Sequence, residues 1–142
     1  MPGARRENRS LCPINVSLEI FGDRWTLLIV RDLMLKGRHT FRELLDGGEN
    51  IASNVLSDRL ARLESHGLID RHRSTQDGRS VIYRLTEKGI ELAPVLLEMI
   101  LWAAQHEKTA SPPGETRRIK KRRDHYLAEI RSRWEKSLVS EG

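Results

Sequence analysis

Apolar residues recur at helical spacing along the first half of the chain. Ile14, Leu18 and Phe21 share one side of a short helix over 14–21, and Gly22-Asp23 interrupts it. Trp25, Leu28, Ile29 and Leu33 mark a second helix from about Arg24 to Leu35, which Gly37 stops. Thr40-Phe41-Arg42-Glu43 has the form of a capping box, in which hydroxyl and carboxylate each accept from the other's amide. It predicts a short helix over 41–46, ended by Gly47-Gly48. Leu56, Leu60 and Leu63 then form a narrow stripe on a helix over 53–66. Gly67 stands at its end, where a left-handed cap belongs.

The period then changes. Leu68 to His72 reads as a short strand, and Asp77-Gly78 is a hairpin turn signal. Val81, Tyr83 and Leu85 alternate along a returning strand. Thr86 can cap a long helix from about Glu87 to His106, with Pro94 placed to kink it. Leu92, Val95, Leu96, Met99, Ile100 and Ala103 give that helix a broad apolar face. Ser111-Pro112-Pro113-Gly114 reads as a helix-breaking linker. Beyond it, Ile119, Tyr126, Leu127, Ile130, Trp134 and Leu138 fit an amphipathic helix with a basic start. It can dock on the rest of the protein, grip flanking DNA, bind another partner or stay solvated.

The fold class expected is mainly α with a small β-hairpin. Helices 41–46 and 53–66, joined by a glycine turn, form a helix-turn-helix, and the hairpin directly after them is a wing. The expected division is a basic arm over 1–10, a winged helix-turn-helix domain over 11–107 and a basic amphipathic extension over 111–142.

The chain resembles the HxlR-type group of bacterial winged-helix transcription regulators, relatives of the MarR type. The likeness is carried by Cys12-Pro13, Gly22-Asp23-Arg24-Trp25-Thr26, Phe41-Arg42-Glu43-Leu44, Leu56-Ser57-Asp58-Arg59-Leu60, Gly67-Leu68-Ile69 and Tyr83-Arg84-Leu85-Thr86-Glu87-Lys88-Gly89. The wing, Ser74 to Ser80, lacks the proline-rich tip common in the group and is closer to the MarR type. The resemblance implies dimerisation through the 14–21 helix and the long helix, and hence a palindromic operator in double-stranded DNA. For some members it also implies a redox-sensing cysteine at the place of Cys12.

Charge adds location to this picture. Residues 1–10 hold three arginines against one glutamate, +2, and residues 111–142 hold nine basic against five acidic residues, +4. The middle, thirteen basic against fourteen acidic, is close to neutral. Basic ends suit a polyanionic partner or simply solvated tails. No apolar run reaches the ~20 residues of a membrane span. Arg5, Arg6 and Arg9 are followed by no apolar stretch, so a signal peptide is not expected. A single cysteine cannot form an internal disulfide, and a reducing cytoplasm is its expected home.

With Leu56 at 0° and about 100° per residue, Leu60 and Leu63 lie on the core side. Ser57, Ala61, Asn54 and Asp58 then face outward. Asn54 can bind adenine through two hydrogen bonds. Ser53 and Ser57 can reach bases or phosphates, and Val55 can touch a thymine methyl. The alternative is that these are ordinary solvated positions. Asp58 must accept from cytosine or pair with an arginine such as Arg62. Arg59 reads equally as a phosphate contact or an ion-pair partner. Arg42 can reach the backbone from the first helix of the pair. Arg73 and Arg79 flank the wing loop, where arginine suits a narrow minor groove; Arg79 can instead pair with Asp77.

Cys12 is an inert thiol or a redox sensor whose thiolate Arg5, Arg6 and Arg9 would favour. The five histidines show no metal spacing, and no cofactor is expected. The function expected is a homodimeric, sequence-specific DNA-binding transcriptional regulator, a repressor, responsive to a thiol reaction or a small-molecule effector. The rival is a non-specific nucleic-acid or protein-interaction module built on a winged helix. An enzyme is not expected, because no Gly-rich phosphate loop or nucleophile–histidine arrangement is present at a working spacing.

Overall fold

The computed structural model describes residues 8–140, so most of the basic arm lies outside the described residues. The chain forms two compact units, one up to Gly89 and one from Ile90. This division falls ahead of the Ser111–Gly114 segment. The first unit holds α1 (Pro13–Phe21), α2 (Thr26–Leu35), α3 (Phe41–Leu45), α4 (Ser53–Ser65), β1 (Ile69–Arg73) and β2 (Val81–Leu85). The strands pair antiparallel, with Ile69 opposite Leu85 and Arg73 opposite Val81.

The core of this unit takes in Ile29, Leu33, Leu85 and the α4 stripe, which the patterns mark, and adds Val30, Leu44 and Ile69, which they do not; the marked Trp25, Leu28, Val81 and Tyr83 are only half-buried. Ile29, Val30 and Leu33 of α2, Leu44 of α3 and the Leu56, Leu60, Leu63 stripe of α4 are all buried, together with Ile69 and Leu85. Helix α3 packs on α4 and β2, α2 packs on β2, and α4 packs on β1. Helix α1 differs: none of its residues is buried.

Local chemistry sets the boundaries. Helix α2 starts at Thr26 rather than Arg24, because the Asp23 carboxylate accepts from the amides of Trp25 (2.9 Å) and Thr26 (3.2 Å). The capping box forms in full: Thr40 Oγ1 accepts from the Glu43 amide (3.1 Å), and Glu43 Oε1 accepts from the Thr40 amide (3.0 Å). Gly67 has φ +73°, the left-handed geometry its position called for.

The single long helix expected after Thr86 is two. Helix α5 (Glu87–Ile90) ends, and α6 (Ala93–His106) starts with Pro94 in its first turn. Proline has no amide to give the carbonyl four residues back, but it fits a first turn, where that amide has no partner anyway. Thr86 does cap, accepting from the Gly89 amide at 3.2 Å and donating to the Gly67 carbonyl at 2.5 Å. A Cβ at Gly89 would lie 2.2 Å from the Leu68 carbonyl oxygen, so that crossing requires glycine.

The second unit contains α6, α7 (Pro113–Lys121) and α8 (Arg123–Ser140), which pack on one another. Pro112 and Pro113 do not form a linker: Pro112 is the N-cap of α7 and Pro113 its first residue. The tail helix is also split in two at Arg122, where like charges stack three and four residues apart and weaken helical continuation. Ile130 is buried and Trp134 half-buried.

Candidate nucleic-acid interface

Two anchors fix α4 in the first unit. One is its leucine stripe, with Leu56, Leu60 and Leu63 at 0%, 3% and 1% exposure. The other is polar. Arg59 Nε donates to Asp23 Oδ2 at 2.8 Å, while Thr26 Oγ1 donates to Asp23 Oδ1 at 2.5 Å. Asp23 thus ties the start of α2 to the middle of α4. Partial burial raises its carboxyl pKa, but the Thr26 hydroxyl, Arg59 and the two amides outweigh that and hold it far below the usual carboxylate range. The Asp23 bond, more than any other influence, raises the Arg59 pKa.

The opposite face of α4 is open. Ser53, Asn54, Ser57, Asp58 and Ala61 are exposed, and Val55 is half-buried. The N-cap, Ala52, offers no side-chain oxygen, and no acidic residue lies in the first turn. The first amides and the positive end of the helix dipole therefore face outward unscreened. Beside this face runs a groove of about 470 Å³, lined by Phe41, Ser57, Ala61, Glu64, Arg71 and Tyr83 among others. It puts Ser57 on the side of α4 that looks toward the wing strands.

The lead-in to α3 is fastened to the wing. Tyr83 donates its amide to the His39 carbonyl at 2.7 Å, and the His39 ring meets the Tyr83 carbonyl at 3.1 Å. The Glu43 carboxyl lies below its ordinary pKa, chiefly because it accepts from the His39 amide, with the Thr40 bonds adding to this. In the wing loop, Asp77 accepts from the amides of Arg79 and Ser80, both at 2.9 Å, and from the Ser80 hydroxyl at 2.8 Å. The Ser80 and Arg79 amides lower its pKa. Asp77 thus takes the backbone of Arg79, not its guanidinium, and the Arg79 side chain is exposed. Arg73 reaches across the loop to the Gly78 carbonyl at 3.4 Å.

This assembly of paired helices, hairpin and open outer face of α4 has a known counterpart. A model of the HxlR-like helix-turn-helix family matches residues 20–111. The chain belongs to the HxlR-like helix-turn-helix family. Among relatives, the HTH-type transcriptional regulator YodB of Bacillus subtilis is 34% identical over 108 residues, spanning 75% of this chain and 92% of that protein. The solved structure of YodB in its reduced form has a TM-score of 0.58 at 36% identity, covering 68% of this chain and 95% of that one. The redox regulator HypR in its oxidised form has a TM-score of 0.59 at 29% identity, covering 69% and 100%. The chain is accordingly a transcriptional regulator of the HxlR and MarR-like type, and regulators of this type bind DNA.

In this HxlR-like protein, Arg59 takes the ion-pair role of its two readings, held by Asp23 and also by Asp58. Asp58 pairs with Arg59 and not with Arg62, since Arg59 is already drawn to that side. Arg42 is 80% exposed and pairs with Asp46 one turn on, at 3.0 Å. Cys12 is exposed at the N-cap of α1. Its thiol pKa is lowered by the Asn15 amide and then the Ile14 amide. Among the described residues the cause is the helix start; Arg5 and Arg6 lie outside the described residues. Among the described residues no helix is long and apolar enough to cross a membrane.

Two hubs were not marked as such in the sequence. Asp23 stands three residues before Thr26, a capping spacing that identifies the helix start but not the long-range bond to Arg59. Asp32 is buried and accepts from Arg31 (2.8 Å) and Arg38 (2.9 Å), securing the end of α2. Nothing in the local pattern separates it from a surface aspartate.

Proposed function

We propose that the protein is a homodimeric, sequence-specific DNA-binding repressor of the bacterial cytoplasm. The observation that carries this reading is the two-sided α4: a sealed leucine face below, and Ser53, Asn54, Ser57 and Ala61 open above. A helix of that make-up enters the major groove with its short polar groups leading. Asn54 reads adenine, Val55 touches a thymine methyl, and Ser53 and Ser57 bind bases or phosphates. Arg42 meets the backbone, and Arg73 and Arg79 place the wing against the minor groove. Arg59 acts through Asp23 to position α4. In this reading the regulator proper is 11–107, and 111–142 is an added extension.

Dimerisation is supported by apolar side chains left bare at helical spacing. Ile14 and Leu18 of α1 are 71% and 55% exposed, and Met99 and Trp102 of α6 are 51% and 63% exposed. Singly exposed apolar residues are ordinary; runs along one helix face mark an interface. A two-fold pair doubles the few base pairs that one helix reads.

The decisive experiment compares wild type and Asn54→Ala on the best-bound duplex from a randomised pool, by anisotropy at fixed salt. The expected loss is about 1–3 kcal/mol, confined to one base position per half-site. An equal loss on every sequence would make Asn54 a backbone contact and remove the reading proposed for it.

Cys12 is the proposed thiol switch. Its thiolate attacks the disulfide of an oxidised small thiol, forming a mixed disulfide and releasing one thiolate. The helix-start amides favour the thiolate, so alkylation of Cys12 should rise at lower pH than that of an ordinary cysteine. Treatment with an oxidised thiol should weaken DNA binding by wild type and leave Cys12→Ser unaffected. Equal response of the two proteins would leave Cys12 inert. A small-molecule effector is compatible with this scheme.

A further inference from the structure

We infer that the face of α7 bearing Arg117, Arg118, Lys120 and Lys121 is a second phosphate-binding surface, gripping DNA backbone beyond the base pairs that α4 reads. This rests on the DNA-binding reading above, and it assigns a role to a segment outside the family match, which ends at residue 111. All four side chains are exposed. At about 100° per residue they span an arc of roughly 160°, with Ile119 on the far side of the helix. Helix α7 is therefore a cationic half-cylinder about 13 Å long.

Internal roles do not account for this concentration. Among the described residues no side-chain carboxylate pairs with any of the four. Arg123, two residues past Lys121 in the same run, does find one, donating to Glu98 at 2.7 Å. A helix C-terminus favours cations in its last turn, but Arg117 lies above that turn. Arg117 also faces Lys120 and Lys121, and Arg118 faces Lys121, at the three- and four-residue spacings where like charges repel. An external polyanion relieves that repulsion. A membrane surface fits less well. An interfacial helix needs a large apolar face, and α7 supplies only Ile119, which is half-buried.

The test uses full-length protein and two duplexes carrying the same selected site, one ending at the site and one extended by about a helical turn on each side. Wild type is compared with the combined Arg117→Gln, Arg118→Gln, Lys120→Gln, Lys121→Gln variant across a salt series. On the extended duplex the variant should bind about tenfold more weakly near 150 mM salt, with a slope of log K against log salt shallower by about two to four. On the short duplex the two should agree. A milder Lys120→Gln, Lys121→Gln pair should move the same way by about half, which keeps the test readable if the fourfold variant folds poorly. Agreement on both duplexes would overturn the inference, and so would an equal loss on both. Binding to phosphatidylglycerol vesicles that the variant alone loses, with DNA binding unchanged, would also overturn it and assign the face to lipid. If no site can be selected at all, the regulator reading fails, yet the slope on a long arbitrary duplex still decides for or against α7.

Discussion

Leu56→Ala is expected to destabilise the protein by about 3–5 kcal/mol, measured as a shift in the denaturant midpoint at unchanged slope. Leu56 has no exposed surface and begins the stripe that seats α4. Truncation removes its buried methyl groups and leaves a cavity that Leu60 and Leu63, one turn and two turns on, can fill only by shifting the helix. DNA binding should fall along with stability, because the residues proposed to read DNA are carried by the same helix. Ser57→Ala, one residue along and exposed, should change stability by no more than about 0.5 kcal/mol. If the two substitutions cost the same, α4 is not seated as described.

Asp23→Ala is expected to cost about 2–4 kcal/mol, because it removes the acceptor for the Trp25 and Thr26 amides at the start of α2 and strands the half-buried Arg59 guanidinium. Asp23→Asn keeps one acceptor and should cost less. The pH dependence has a defined sign. In the folded state the carboxyl stays ionised far below its ordinary range, whereas the unfolded chain takes up a proton near pH 4. The stabilisation is therefore complete above that pH and is lost as pH falls below it. Wild-type stability should decline through the acid range more steeply than that of Asp23→Asn. Glu43 and Asp77, whose pKa values are also lowered, leave a residual decline in both proteins. Parallel acid profiles would show that the Asp23–Arg59 bond carries little weight.

Much of the fold was legible because it depends on short-range periodicity. The Leu56, Leu60, Leu63 stripe, the Thr40–Glu43 box and Gly67 each act within a turn, and each appears where its spacing placed it; the strand over 81–85 forms too, but its burial does not alternate, since Arg84 is buried beside Leu85. What was missed depends on competition or on distance. Pro94 was read as a kink in one helix, but its missing amide makes starting a new helix the cheaper solution. Pro113 was read as a breaker and became a helix start for the same reason. Arg59 lies on the flank of the α4 leucine stripe, and only the position of Asp23, 36 residues earlier, decides that it turns inward. Asp58 pairs with it while staying exposed. The apolar side of α1 was legible as a helix face, but the sequence could not say that the chain alone leaves it uncovered.

The candidate site follows the same division. The outward positions of α4 follow from arithmetic on the leucine stripe, so the exposure of Asn54 and Ser57 was legible directly. The wing was recognised from Asp77-Gly78, yet Asp77 organises the loop through backbone amides and leaves the Arg79 side chain to the solvent. The Asn15 and Ile14 amides at the start of α1 lower the Cys12 pKa, a feature of backbone direction that residue types alone do not reveal.

The central claim is that α4, presented by a two-fold dimer, reads a defined base sequence. The measurement that tests it most directly is selection from a random-sequence duplex pool by the full-length protein at about 150 mM salt, near physiological ionic strength, followed by sequencing of the retained DNA. A two-fold symmetric motif with half-site centres about 34 Å, one helical turn, apart should be enriched. Retention of DNA without any enriched sequence would contradict it and leave a non-specific, salt-sensitive binder in its place.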